Sequence, residues 1–563
     1  MIKRLGALIL AVSIVVGTLM LNAPVKTAYA SASGFGGYYE MHDKHGVIQF
    51  DGNVGNVTSA VISGVDTNGQ QMTKNVSVTV DGAKVTIGEL SSSVTDSMVL
   101  GEYYTLTING TDAKMFRFVT KAIANKDDLQ VLKLTSQEKA ITGYYVLAND
   151  LKLEKGEELY HDVNGSESGH GIYYATYGFR GTFDGQGHNV EFWANDTGFF
   201  GALSIDGVIK NTAFVNVHVY TPGTNPVLFH AATWLYVSPA ENIDDRALVE
   251  NVYIRMAEGN VPEGAICHNG SIPLKLQNVV LEFPGANVDH NTGDTSIGAL
   301  WGADYGWWTT KNNGMEMAEV YDPLSYKDVY IIGRMPASHY KYIHPDNSER
   351  KKGFYAHADG TLGRGWMEGY AENEGVEEDI FNGNKVYKGV RKYATLALLS
   401  EDKANKYDTF NKEYWAIEEY GLPVWKNGVE SNFNIFLETN APKTSVAIFF
   451  ELGGEKTAKI GFGLGGISVE GTVLDFEFIK GEEFISINSR TGVITAKKEG
   501  VSQFWVKCTY NGKTFQKKYT VYVSIGKGYI PPYVYVLCSV GGAVLVGGVA
   551  TLIVLKKKKS KKQ

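Results

Sequence analysis

Short runs in which apolar and polar residues alternate dominate this chain, and helical periodicity is scarce. Val76-Ser77-Val78-Thr79-Val80 turns at Asp81-Gly82 into Lys84-Val85-Thr86-Ile87. Tyr104-Thr105-Leu106-Thr107-Ile108 reaches Asn109-Gly110 before Met115-Phe116-Arg117-Phe118-Val119. Asp-Gly and Asn-Gly between such runs favour tight hairpins, because both residues tolerate positive φ. Together with Val47-Ile48-Gln49-Phe50 they predict an Ig-like β-sandwich over residues 33–124.

From 126 to 434 the pattern changes. Four segments place an Asn or Asp at the same phase between two short strand pieces: Val208 to Phe214 around Asn211, Leu248 to Ile254 around Asn251, Leu274 to Leu281 around Asn278, and Tyr326 to Ile331 around Asp328. A self-similar unit at irregular spacing predicts stacked coils with loops inserted between them. Asn suits the corner of such a coil. It tolerates the left-handed conformation, and its side chain can bond the Asn of the next coil. The expected architecture is a parallel β-helix with inward residues stacked into one core. Residues 443–524 return to alternating runs, with a hairpin at Asn511-Gly512.

The two ends predict export and anchoring. Lys3 and Arg4 precede an uncharged, mostly apolar stretch, and Ala28-Tyr29-Ala30 has the small-x-small form of a signal-peptidase site, so residues 1–30 are expected to be removed. Residues 534–555 carry no charge and, at about 1.5 Å per residue, suffice for a ~30 Å hydrocarbon core. The Lys-rich tail, 556–563, is expected to remain cytoplasmic, with Tyr529, Tyr533 and Tyr535 at the outer interface. The expected localisation is a single-pass membrane protein whose N-terminal part is extracellular.

Three stretches carry family resemblances. Ile141 to Leu151 and Phe179-Arg180-Gly181-Thr182-Phe183-Asp184-Gly185-Gln186-Gly187-His188-Asn189-Val190 resemble bacterial surface proteins of the GLUG-repeat type, as does Gly198-Phe199-Phe200-Gly201, with Phe199 in place of that family's Leu. Trp415 and Gly421-Leu422-Pro423-Val424-Trp425 resemble its closing coil. The resemblance implies a right-handed parallel β-helix over 126–434, while residues 285–395 diverge. Phe484 to Gly500 and Phe504 to Val523 resemble bacterial Ig-like domains of group 2, which implies a spacer next to the membrane. The tail also resembles that of sortase substrates, but no Leu-Pro-x-Thr-Gly precedes it, so a retained membrane helix is expected. The fold class expected is all-β: a right-handed parallel β-helix flanked by two Ig-like β-sandwiches, plus a C-terminal transmembrane helix.

Gly supplies 64 of the 563 residues, more than the usual ~7%, in keeping with frequent turns. The net charge is −8 although the two ends hold nine cations and no acid, so the exported part is more acidic still and nucleic acid is not expected as a partner. Three Cys, one of them (Cys538) in the apolar tail, leave Cys267 and Cys508; at most one disulfide could form, so apolar cores must stabilise the modules.

Candidate chemistry is sparse. Asp184 reads as a turn residue, because one acid cannot serve as both acid and base. His339 and His344, five apart, align on neither strand nor helix, and no zinc pattern accompanies them. Gly363-Arg364-Gly365 lacks phosphate-loop spacing, and Gly461 to Gly466 reads as a flexible strand edge. No cofactor or metal is expected.

Trp301, Tyr305, Trp307 and Trp308, among Asp289, Asp294 and Asp304, are the ligand-binding candidates. Flat rings stack on a pyranose while acids and amides take its hydroxyls. The competing reading is that these rings pack against the flank of the coils. A second aromatic insertion, Tyr340 to Trp366, could extend the same surface. The function expected is binding or adhesion to an extracellular glycan, or to a host or envelope surface molecule. The alternatives are a polysaccharide lyase or glycoside hydrolase, and a purely structural envelope component.

Overall fold

A computed structural model describes residues 34–135, 140–161, 178–204, 206–221, 223, 225–233, 247–269, 275–287, 299–303, 326–334, 376–378, 385–387, 390–393, 409–417, 423–427, 429, 433–439, 443–444, 447–451, 458–464, 467–469, 471–510 and 512–524. The protein is all-β: the only helical pieces among these residues are Ser92–Thr95 and the 3-10 turn Asp128–Leu132. No described helix is long and apolar enough to cross a membrane, and the first 33 residues and 534–555 lie outside the described ones.

Two compact units divide the chain, residues 1–123 with 143–148, and residues 124–142 with 149–563. In the first, eight strands from Phe35–Glu40 to Asp112–Val119 hydrogen-bond along one path. Every neighbour pair is antiparallel except Phe35–Glu40 with Asp112–Val119. Ile62 and Met72 from one end of that path share a core with Val85 and Ile87 from the other, so the sheet must curl on itself. The hairpin at Asn109-Gly110 forms as expected, with φ of 52° and 76° at the two residues. The other turns one residue later, at Gly82-Ala83, because Asp81 still pairs with Lys84.

The second unit holds two parallel ladders that the chain visits alternately. Thr182–Asp184, Val208–Val219, Leu248–Met256, Lys275–Asn287, Tyr326–Arg334 and Val390–Tyr393 form the long one. Ala202–Ser204, Phe229–Thr233, Cys267–Asn269 and Trp301–Ala303 form the other. From Thr182 to Ala303 each return adds one rung to each ladder, so equivalent side chains stack; among the described residues the long ladder then gains two more. Ile209, Val249 and Leu276 in one row and, three residues on past the corner, Val252, Val279 and Val329 in another are all fully buried. Phe183, Phe192, Phe199, Phe200 and Phe214 meet edge to face at 4.9–6.3 Å in the first rungs.

The corners expected at Asn211, Asn251, Asn278 and Asp328 share one seam. All four have left-handed φ, from 51° to 55°. Their side chains link from rung to rung: Asn211 Nδ2 donates to Asp184 Oδ1 (3.0 Å), Asn251 Nδ2 to Asn211 Oδ1 (3.3 Å) and Asn278 Nδ2 to Asn251 Oδ1 (3.2 Å). Thr409 Oγ1 then donates to Asp328 Oδ2 at 2.6 Å.

Near the C-terminus, two five-stranded sheets contribute to one core that includes Phe450, Phe462, Ile494, Phe504 and Val521. Phe433–Thr439 pairs with Ala458–Leu464 over seven residues, so these sheets begin about ten residues before the position 443 inferred from pattern. Ala458–Leu464 is an interior strand rather than the flexible edge expected, being flanked by Phe433–Thr439 and Val493–Ala496. Gly461 is required there, since a Cβ would lie 2.8 Å from Ser468 Oγ and 2.9 Å from the Phe436 ring.

Candidate functional site

The residues singled out in the sequence separate sharply. Trp301 lies in the strand Trp301–Ala303, in register with Cys267; Tyr305, Trp307 and Trp308 lie outside the described residues, as do His339, His344 and the insertion from Tyr340 to Trp366. Asp184 is buried in its corner, where Oδ1 accepts from the Gln186 backbone N–H at 3.1 Å and from Asn211, which is turn chemistry. Cys267 and Cys508 are both buried and unbridged.

A set of rings that the sequence reading did not pick out gathers on the outside of the first rungs. Trp193–Ala194 pairs in parallel with the end of Val208–Val219, which sets Trp193 beside His218. Their rings stack at 4.5 Å and 14°, and Tyr220 lies 5.6 Å from Trp193. Alternation explains the direction: Phe192 and Ala194 are buried on either side of Trp193, and Val217 and Val219 on either side of His218. Trp193 and His218 are half-buried, whereas Tyr220 is 37% and Tyr160 59% exposed.

Polar groups surround these rings. Tyr220 donates its hydroxyl to Glu158, and Tyr160 donates to Asp196 at 3.0 Å. Burial and the Glu158 carboxylate push the Tyr220 phenol up to about 12, so it stays a donor at any physiological pH. Burial holds the His218 imidazole below its ordinary value, hence neutral. The Lys155 ammonium sits over the rings of Trp193 (4.6 Å) and Tyr220 (4.7 Å). A cation over an exposed ring contributes only about 0.5–1 kcal/mol.

Other titratable groups are committed to structure. His161 is 1% exposed; the Leu134 N–H donates to its Nδ1 (3.1 Å), so Nε2 carries the proton and donates to the Phe199 carbonyl at 2.9 Å. Burial, helped by Lys133, lowers its pKa to about 4 against the pull of that carbonyl. A depressed imidazole stabilises the fold above its unfolded value near 6.5 and loses that contribution as pH falls toward 4. By pH 5 the loss should reach about 2 kcal/mol. Denaturation of the full chain across this range should show it, with a shallower acid limb in His161→Gln; parallel limbs would refute the assignment. His230, stacked on His268 at 4.9 Å, is likewise lowered to about 4 by burial and then by His268. Among the described residues no three His, Cys, Asp or Glu side chains gather as a metal site would require.

No family model and no curated protein matches the chain. Among solved structures it aligns with a β-glucuronidase of Parabacteroides merdae carrying glycerol in its active site, at TM-score 0.18 and 8% identity over 88% of this chain and 64% of that one. A Bacteroides uniformis β-glucuronidase 3 aligns at TM-score 0.19 and 8% identity, over 88% and 63%. The chain therefore spans less than two-thirds of these structures, and likeness this slight establishes neither fold nor activity for it.

Proposed function

We propose that this is a secreted bacterial surface protein, held by one C-terminal membrane helix, that binds extracellular glycan on the outer face of a right-handed parallel β-helix. The observation that carries the binding reading is the partly exposed ring row Trp193, His218 and Tyr220, bordered by Glu158, Asp196 and the Tyr160 hydroxyl. Flat rings beside hydrogen-bonding groups suit a sugar, which presents C–H faces and hydroxyl edges together. The alternating ladders and the shared Asn seam support a wound column of the GLUG-repeat kind. The two C-terminal sheets are compatible with a bacterial Ig-like module of group 2, and the first unit with an Ig-like one. The predicted signal, the apolar stretch 534–555 and the basic tail support export and anchoring.

The test is retention of the full-length chain on a glycan array, with a parallel assay for new reducing ends. Retention without turnover is expected. Trp193→Ala should weaken retention at least about tenfold, as loss of a central aromatic anchor does. Turnover of the retained glycan, or retention indifferent to both Trp193→Ala and Tyr220→Ala, would defeat the proposal.

A further inference from the structure

The same outer face continues into a cleft. Phe192 is buried between Glu191 and Trp193, so those two project from one rung. On the next, a bulge interrupts the register between Phe214 and Val217 and puts Asn216 at φ 50°. Bulges of this sort re-aim side chains beside binding sites. Next to it opens a cleft of about 320 Å³, lined by Glu191, Asn216 and Arg255 from the rungs and by Asn434, Phe515 and Gln516 from the C-terminal sheets. That volume is at the small end of the ~300–1,000 Å³ usual for ligand sites, enough for one ring but not for a chain.

Its charges largely cancel. Lys517 is paired with Glu258, and Arg255 lies 3.6 Å from the buried Glu282. Glu191 has no ion pair among the described residues, so the surplus charge on the cleft wall is an acceptor. Asn434, Asn216 and Gln516 add amides to the wall. Acceptors, amides and one phenyl ring fit a molecule that donates hydrogen bonds along its edge and has an apolar face. A carboxylate would be repelled by Glu191.

We infer that this cleft is a subsite for a single neutral or amino-substituted pyranose, completed by the C-terminal sheets. The choice of a sugar rests on the glycan reading of the neighbouring rings; the size, charge and composition of the cleft do not. A module expected only as a spacer thereby supplies half of a binding site.

Saturation-transfer NMR of the full-length chain, with N-acetylglucosamine, galactose, glucosamine and glucuronate as probes, tests this. At least one of the first three should bind with a Kd on the order of millimolar, and glucuronate should not. Glu191→Ala, and Asn216→Gly (which keeps the left-handed backbone), should each weaken binding about tenfold. Trp193→Ala should spare the part of the monosaccharide signal that Glu191→Ala removes, while lowering retention of longer glycans. The inference is overturned if none of the three sugars binds, if glucuronate binds equally well, or if binding survives both cleft substitutions. Monosaccharide binding lost in Glu191→Ala, with glycan retention unchanged in both Trp193→Ala and Tyr220→Ala, would keep the cleft and reject the ring row.

Discussion

Asn278→Val is expected to destabilise the parallel ladder by about 4 kcal/mol, summed from two sources. Asn278 is 1% exposed and holds φ at 53°. A β-branched residue there meets its own backbone, at a cost of roughly 1–2 kcal/mol. The substitution also removes the donor to Asn251 Oδ1 and to the Thr409 carbonyl (2.9 Å), and the acceptor for Thr409 Oγ1 (2.9 Å). A buried group left unsatisfied costs about 1–3 kcal/mol, which falls mainly on Asn251 Oδ1, since Thr409 is exposed and its Oγ1 already donates to Asp328. Asn278→Gly keeps the backbone conformation and loses only the hydrogen bonds, so it should be milder by the conformational share. Chemical denaturation of the full chain should rank wild type above Gly above Val. Equal effects of Gly and Val would mean that the left-handed corner is not what the asparagine provides.

The second large effect concerns Glu258, just past the strand Leu248–Met256. Its carboxylate accepts from Lys517, from the Leu437 backbone N–H and from the Tyr519 hydroxyl (3.2 Å), tying two strands of the C-terminal sheets to the ladder. Burial and this carboxylate drive the Tyr519 phenol well above its ordinary value, so it remains a donor. Removing one partner of a buried pair costs about 3–5 kcal/mol, and the partial exposure of Lys517 places Glu258→Ala near the lower bound. Loss of the carboxylate should free the C-terminal sheets to open separately. Limited proteolysis should then cut the chain between the Trp415–Ile417 hairpin and residue 458 faster than in wild type, with Glu258→Gln intermediate. Unchanged cleavage in both variants would show that the apolar contact alone holds the sheets in place.

Local signals in the chain announced much of this. The hairpin at Asn109-Gly110 and the corners at Asn211, Asn251, Asn278 and Asp328 were legible because each depends on one residue type tolerating positive φ. Asp184 was legible as a turn for the same kind of reason. What escaped notice depends on partners far apart in sequence. Trp193 and Tyr220 become neighbours only through the register Trp193↔His218, and search for clustered aromatics points to Trp301 through Trp308 instead. Outward alternation in consecutive rungs would have found them.

Long-range closure was equally hidden. Thr409 bonds Asn278 from 131 residues away, and Asn427 bonds Asp150 (3.0 Å) and the Gly187 carbonyl from beyond 200, so one late segment runs along the corner seam. Between them the Trp415 and Trp425 rings meet edge to face at 5.0 Å, and Trp415 packs on Tyr253. Nothing local in the sequence tells which corner residues this late segment reaches. The strand Phe433–Thr439 was assigned to the coils because its apolar pattern alone does not specify a pairing partner.

Hydrogen exchange of the full-length chain, with and without an array glycan, tests most directly the proposal that glycan binds on this face. Protection should appear in the peptides spanning residues 155–161, 189–194 and 214–221, which carry Lys155, Tyr160, Trp193, His218 and Tyr220. Protection elsewhere, with these segments exchanging as in the free protein, would contradict the assignment of this face.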